Sequence, residues 1–260
     1  MNGRERDEAG RQRGAPPSPM VMAQTWSDLL FAHWPVPFER LRALVPEPLV
    51  LEEFDGSAWV GVVPFRITGL RPRGVPARLG LDFPELNVRT YVSVGGRPGV
   101  YFFSLDAGSQ LAVWGARTFF RLPYHHAEMD VSIEGEWVRY RSRRLASRRG
   151  AGEFRARYRP AGDAFTAAPG TLEHFLTERY CLYAVLGGGR VLRVDIDHVP
   201  WPLQRAEAEI ETNTMAAASG IALPDRPPLL HFSRRLDVVN GLPVRVGSGP
   251  AASSPRARYG

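Results

Sequence analysis

The chain contains no lysine; all 33 of its basic residues are arginine. Arginine stays charged and forms no Schiff base. Lysine imine chemistry, pyridoxal phosphate attachment and the Walker phosphate loop are therefore excluded. Cysteine is nearly absent too. The single Cys181 allows no intrachain disulfide, and its place in an apolar strand suits a buried thiol better than a nucleophile. No apolar run approaches the ~20 residues of a membrane-spanning helix. Residues 1–19 lack the apolar core of a signal peptide. The expectation is a cytoplasmic protein with no membrane partner. Several site motifs are also missing. No Gly-rich loop has dinucleotide or phosphate spacing, and no Gly-x-Ser-x-Gly elbow occurs. The six histidines never pair at i, i+2 or i, i+4. His125 and His126 are adjacent, so on a strand they point to opposite faces and suit one metal poorly. No metal and no cofactor are expected.

What is present points to a β-rich globular unit. The 260 residues are 44% apolar and 23% charged, which is globular usage and enough chain to bury a sizeable core. Gly 26 and Pro 23 supply many turns. Residues 1–21 mix Arg, Glu, Gly and Pro without periodicity and read as a disordered tail. Residues 22–243 read as a single domain, and residues 244–260 as a flexible tail.

Within that domain, Leu29–Trp34 reads as a buried strand and Pro37 opens a short helix ended by Pro46. Ala58–Phe65 is a strand in which Pro64 implies an edge or a bulge. A period change over 107–119 suits a short helix carrying Arg117, and Thr171 caps another over 172–179. The stretch 203–219 reads as the most helical of the chain, stopped by Gly220. Between Arg139 and Arg159 there are nine Arg and one Glu; that local +8 exceeds the whole chain's +6. Like charges opposed across strands repel. This hairpin must therefore meet acids on a neighbour, solvent, or an anionic macromolecule. Nucleic acid is disfavoured, because no helix-turn-helix, RNA-recognition signature or zinc-ligand spacing accompanies it.

The stretch that organises the chain is Phe83–Val92. Read with period two, Glu85, Asn87, Arg89 and Tyr91 share one face of a strand, while Leu86, Val88, Thr90 and Val92 share the other. An acid, an amide, a guanidinium and a phenol in a row can hold a small polar ligand if they face an interior. Pointing outward, they are a solvated face. Glu85 and Arg89 can also be a structural ion pair that fixes register.

Two groups of residues carry a resemblance. The first is Pro84-Glu85-x-Asn87-x-Arg89-x-Tyr91, Phe103–Ala107, Ala116-Arg117 and Leu122-Pro123-Tyr124. The second is Thr177–Tyr183 with His198-Val199-Pro200-Trp201-Pro202-Leu203. Together they resemble the YqjF-like family (domain of unknown function 2071) over about Gln24 to Asp237. That family in turn is similar to acetoacetate decarboxylase. The resemblance implies a mainly β, antiparallel β-barrel of the acetoacetate decarboxylase-like type, with a cavity and a few short helices. It also implies a homo-oligomer, since such barrels associate readily. The decarboxylase carries Gly-Arg-Glu followed by Pro-Lys, whose lysine forms the imine. Here the counterparts are Ala116-Arg117-Thr118 and Pro123-Tyr124, so Schiff-base decarboxylation does not carry over. What the resemblance leaves is a pocket for a small anionic carbonyl or carboxylate compound. Glu85, Tyr124 and His125 are its candidate acid–base groups, and Asn87, Arg89, Tyr91 and Arg117 its candidate ligand contacts. A barrel with the same pocket and no chemistry is the alternative, as is an anionic macromolecule on the hairpin 139–159.

Overall fold

The computed structural model describes residues 18–145 and 151–247. The two expected tails therefore lie outside the described residues up to position 17 and from position 248. Thirteen strands among the described residues form one sheet. They are β1 (Met20–Val36), β2 (Val50–Leu51), β3 (Ala58–Pro72), β4 (Leu81–Val94), β5 (Arg97–Ala107), β6 (Tyr124–Glu134) and β7 (Trp137–Arg144). The remainder are β8 (Glu153–Phe165), β9 (Cys181–Leu186), β10 (Arg190–Asp197), β11 (Leu203–Asn213), β12 (Leu229–Gly241) and β13 (Val244–Val246). Three short α-helices punctuate them: α1 (Phe38–Arg42), α2 (Gln110–Gly115) and α3 (Leu172–Thr177).

Pairing closes the sheet on itself. One circuit runs β10–β9–β5–β4–β3–β1–β12 and back to β10. A second leaves β5 through β6, β7, β8 and β11 and returns by β12. The two share the wall β5–β4–β3–β1–β12. Most pairs are antiparallel; β5 runs parallel to β6 and to β9.

The shared wall explains the long apolar runs. On β1, Leu29 and Phe31 pack in one cluster with Val63, Phe65 and Phe102, while Leu30, Ala32 and Trp34 pack in another with Val62, Val88 and Tyr140. A strand covered on both faces reads as a continuous apolar run. Pro64 lies in β3 opposite Leu86, where β1 and β3 lose register between Ser27 and Ala32. Asp28 there takes φ 52°. The missing N–H of Pro64 thus falls at a bulge, as its type requires.

One expected element is corrected. The stretch 203–219 is not a helix; β11 occupies Leu203–Asn213, and only a short 3-10 turn follows at Ala217–Ser219. Its alanines and glutamates favour a helix by propensity. They also alternate. Ala206, Ala208 and Ile210 pack on the core, while Glu207 and Glu209 stand opposite Arg159 and Arg157 of β8. Arg157 Nη2 donates to Glu209 at 2.6 Å, and Arg159 Nη2 to Glu207 at 2.7 Å. Tertiary pairing overrides the propensity. The basic hairpin is neutralised the same way. Arg139, Arg143, Arg144 and Arg155 also meet carboxylates, leaving Arg141 as the exception among its described arginines.

The loop between β8 and β9 carries α3. Thr171 caps it by accepting a hydrogen bond from the His174 amide at 3.3 Å. Replacing Thr171 with Ala is expected to cost about 1 kcal/mol in a denaturant melt, the usual value of such a cap.

Candidate functional site

The period-two reading of β4 sets the site. Phe83 and Tyr91 pack in the cluster with Phe65, Phe102 and Trp201, whereas Leu86, Val88 and Val92 pack in the opposite one. Glu85, Asn87 and Arg89 therefore face the inside of the β10–β9–β5–β4–β3–β1–β12 circuit. They line a cavity of about 680 Å³ whose other walls are mainly apolar. All three are buried. The single pairing shift between β4 and β5, between Val88 and Arg89, lies beside them.

Glu85 is the most perturbed of these groups. Its main-chain oxygen accepts from Tyr140 Oη at 2.7 Å, which pins the strand. Its carboxylate Oε2 accepts from Tyr124 Oη, also at 2.7 Å. Burial pushes the Glu85 carboxyl up to about 8; the Tyr124 hydrogen bond pulls the other way, and the nearby Asp106 charge pushes it up further. Burial and the Glu85 charge together hold the Tyr124 phenol well above its ordinary value. At neutral pH the pair is therefore a neutral carboxylic acid and a neutral phenol. The acid accepts from Tyr124 on one oxygen and keeps a proton to donate.

Arg89 is a buried guanidinium with no acidic partner among the described residues. It is 8% exposed, its Nε has no acceptor, its Nη2 reaches the Leu176 main-chain oxygen at 3.4 Å, and the Tyr91 phenol lies within its hydrogen-bonding reach. The rings of Phe31 and Tyr91 lie 5.2 and 5.8 Å from its centre. The other buried arginines of the neighbourhood are matched. Arg179, which also lines the cavity, reaches Glu52 at 2.5 Å. Arg144 forks both oxygens of Asp106 at 2.7 Å. Asn87 contributes a buried side-chain oxygen with no hydrogen-bond donor.

Of the residues singled out in the sequence, Glu85, Asn87, Arg89 and Tyr124 line the one cavity. Tyr91, Arg117 and His125 are not among its lining. Tyr91 is fully buried beneath Arg89, and its hydroxyl meets His33 Nε2 at 2.5 Å. Arg117 is exposed and donates from Nε to the Tyr124 main-chain oxygen at 2.7 Å, holding the backbone on which Tyr124 is mounted. His125 follows Tyr124 on β6 and stands beside Asp106 in register. Residues that the β4 pattern gave no hint of complete the wall: Trp26 and Trp201, stacked with centroids 5.7 Å apart, and His198, whose ring lies 5.4 Å from Trp201. Glu178, next to Arg179, is spent on structure; it accepts from the Trp201 amide at 3.0 Å and from Tyr180 Oη at 2.5 Å.

Among the described residues no group of three or more His, Cys, Asp or Glu is placed to hold a metal ion. No helix among them is long and apolar enough to cross a membrane.

Comparison with known proteins places the fold. The profile of domain of unknown function 2071, described as "Uncharacterized conserved protein", matches residues 23–237. "Uncharacterized protein YqjF" of Bacillus subtilis (strain 168) is 50% identical over 220 residues, covering 84% of this chain and 90% of that protein. Among solved structures, the enduracididine biosynthesis enzyme MppR complexed with pyruvate superposes with a TM-score of 0.61 at 12% identity, covering 90% of this chain and 93% of that one. Acetoacetate decarboxylase from Legionella pneumophila superposes with a TM-score of 0.59 at 13% identity, covering 91% and 94%. At such identities the two structures establish a shared fold.

Proposed function

The chain belongs to the family of domain of unknown function 2071, and we propose that its cavity takes a small organic carboxylate, held by Arg89 and met by the Glu85–Tyr124 pair. The observation that carries this reading is Arg89: a buried guanidinium facing a cavity, with an unsatisfied Nε and no acid of its own among the described residues. Burying an unpaired charge is costly. A carboxylate ligand supplies the missing partner, in the geometry that guanidinium groups match well. The unpartnered Asn87 Oδ1 on the same face is an acceptor, and so suits a hydroxyl of the ligand and not its carboxylate.

The chemistry open to this cavity is proton transfer. With no lysine in the chain there is no lysine imine. A neutral Glu85 can donate to a carbonyl or hydroxyl oxygen of the ligand and take the proton back, with Tyr124 holding its orientation. The complex of MppR with pyruvate supports a keto acid as the first ligand to try. That neighbour shares a fold with this chain, and fold does not fix activity.

The test is a thermal-shift screen of short carboxylates and 2-oxo acids on the full chain. A ligand at a hundredfold excess over its dissociation constant is expected to stabilise the protein by about 2.7 kcal/mol. If no carboxylate moves the melting point at millimolar concentration, the reading fails.

A further inference from the structure

The cavity is larger and more apolar than a short keto acid requires, and its opening is unusual. Leu79, Leu111, Trp114 and Leu242 all line it, and they are 67%, 60%, 60% and 48% exposed. They come from three separate places: the turn before β4, helix α2, and the link from β12 to β13. Scattered exposed leucines need no explanation. Four large apolar side chains converging on the mouth of one cavity do.

The polar groups lie at the other end. Counting along β4 from the mouth, Leu81 is exposed and Phe83, Glu85, Asn87 and Arg89 follow inward. At ~3.4 Å per residue, Arg89 lies about 27 Å along the strand from Leu81 but only about 14 Å from Glu85, which pairs with Ala107 just ahead of α2. Beyond Arg89 the cavity is closed. Tyr91 is fully buried, its ring is 5.3 Å from that of Phe175 in α3, and α3 offers Arg89 only the Leu176 carbonyl. The rim has a cation of its own in Arg71, but its guanidinium is engaged with the Val75 and Gly69 carbonyls. An anionic head has its open partner at the closed end, and an apolar tail has its contacts towards the mouth.

Resting on the carboxylate reading above, we infer that the ligand is a carboxylic acid with an extended hydrocarbon tail, its head on Arg89 and its tail running past Phe102 to the rim formed by Leu111 and Trp114. Burial of the tail supplies affinity that a short acid lacks. It also covers apolar rim surface that is partly exposed.

The experiment is a calorimetric titration of butanoate, octanoate and dodecanoate into the full-length chain. It is repeated on Arg89→Met and on the double rim variant Leu111→Glu/Trp114→Glu. Both rim residues are exposed, so the double variant is expected to fold. Affinity should rise about fourfold per methylene while the tail remains inside the protein. The gain from butanoate to octanoate is then on the order of 200-fold. The rim variant should bind butanoate as the wild type does and dodecanoate at least tenfold more weakly. Arg89→Met should weaken all three acids. An affinity that stays flat with chain length but still depends on Arg89 would overturn the tail inference and leave the short-acid reading standing. Affinity that rises with length yet ignores both variants is non-specific adsorption and also overturns it. No binding by any acid removes the carboxylate reading itself, and the tail with it.

Discussion

Glu85→Gln should flatten the loss of stability with pH that the wild-type chain shows between about pH 4.5 and pH 8. The folded protein holds the Glu85 proton up to about 8, whereas the unfolded chain releases it near 4.5. In that window the native state binds the extra proton, so raising the pH favours unfolding. The Glu85 contribution is fully present below about 4.5 and lost as pH passes through 8. Burial is its main cause, and the side chain is 3% exposed, so solvent screens it little. The difference between the two states amounts to ~5 kcal/mol at most. Buried His33, His198 and His231 act in the opposite sense. Burial lowers each of them, so they cost stability as pH falls below the ordinary histidine range. The difference between wild type and Glu85→Gln cancels these histidines. Urea melts at pH 4, 6 and 9 should therefore show near-equal stability at pH 4 and a variant more stable than wild type at pH 9. Parallel curves would mean that Glu85 ionises normally.

Arg144→Met and Arg89→Met should behave in opposite ways, although both remove a buried guanidinium. Arg144 is matched. Both its side chain and that of Asp106 are fully buried, the fork is 2.7 Å on each oxygen, and Ser104 Oγ accepts a third bond at 2.9 Å. Removing Arg144 strands the carboxylate, which costs about 3–5 kcal/mol. The double variant Arg144→Met/Asp106→Leu should recover much of that loss, because both charges leave together and only the Ser104 hydroxyl loses a partner. Arg89→Met strands no acid. It forfeits one long hydrogen bond to a main-chain oxygen, a contact with the Tyr91 phenol and two ring contacts, worth together about 2 kcal/mol. It also relieves the desolvation of an unmatched charge. The unliganded variant should melt within about 1 kcal/mol of wild type, or above it. Chemical denaturation of the three variants at one pH distinguishes a structural cation from one kept for a ligand.

How legible this was from sequence depended on the period. The face carrying Glu85, Asn87 and Arg89 follows from alternation along one strand, and burial of the shared wall follows from the unbroken apolar runs of β1 and β3. Thr171 announced its helix by type and position. The stretch 203–219 misled because alanine and glutamate favour a helix locally, while what decides its state is the ladder of Arg157 and Arg159 on a strand some fifty positions earlier. Its own alternation, set against the arginine alternation of β8, was the signal that could have corrected it. The closed end and the mouth were beyond any local pattern. Trp26, Trp201 and His198 reach the cavity from segments distant in the chain. No local rule separates an arginine that faces a cavity from one that, like Arg117, holds a neighbour's main chain.

The most direct measurement is the dissociation constant of the best-binding carboxylate for the wild type and for Arg89→Met, by calorimetry at pH 7. Binding to the variant should be at least about a hundredfold weaker, with an unliganded melting point unchanged or raised. Equal affinities, or a variant that fails to bind because it no longer folds, would contradict it and make Arg89 a structural residue.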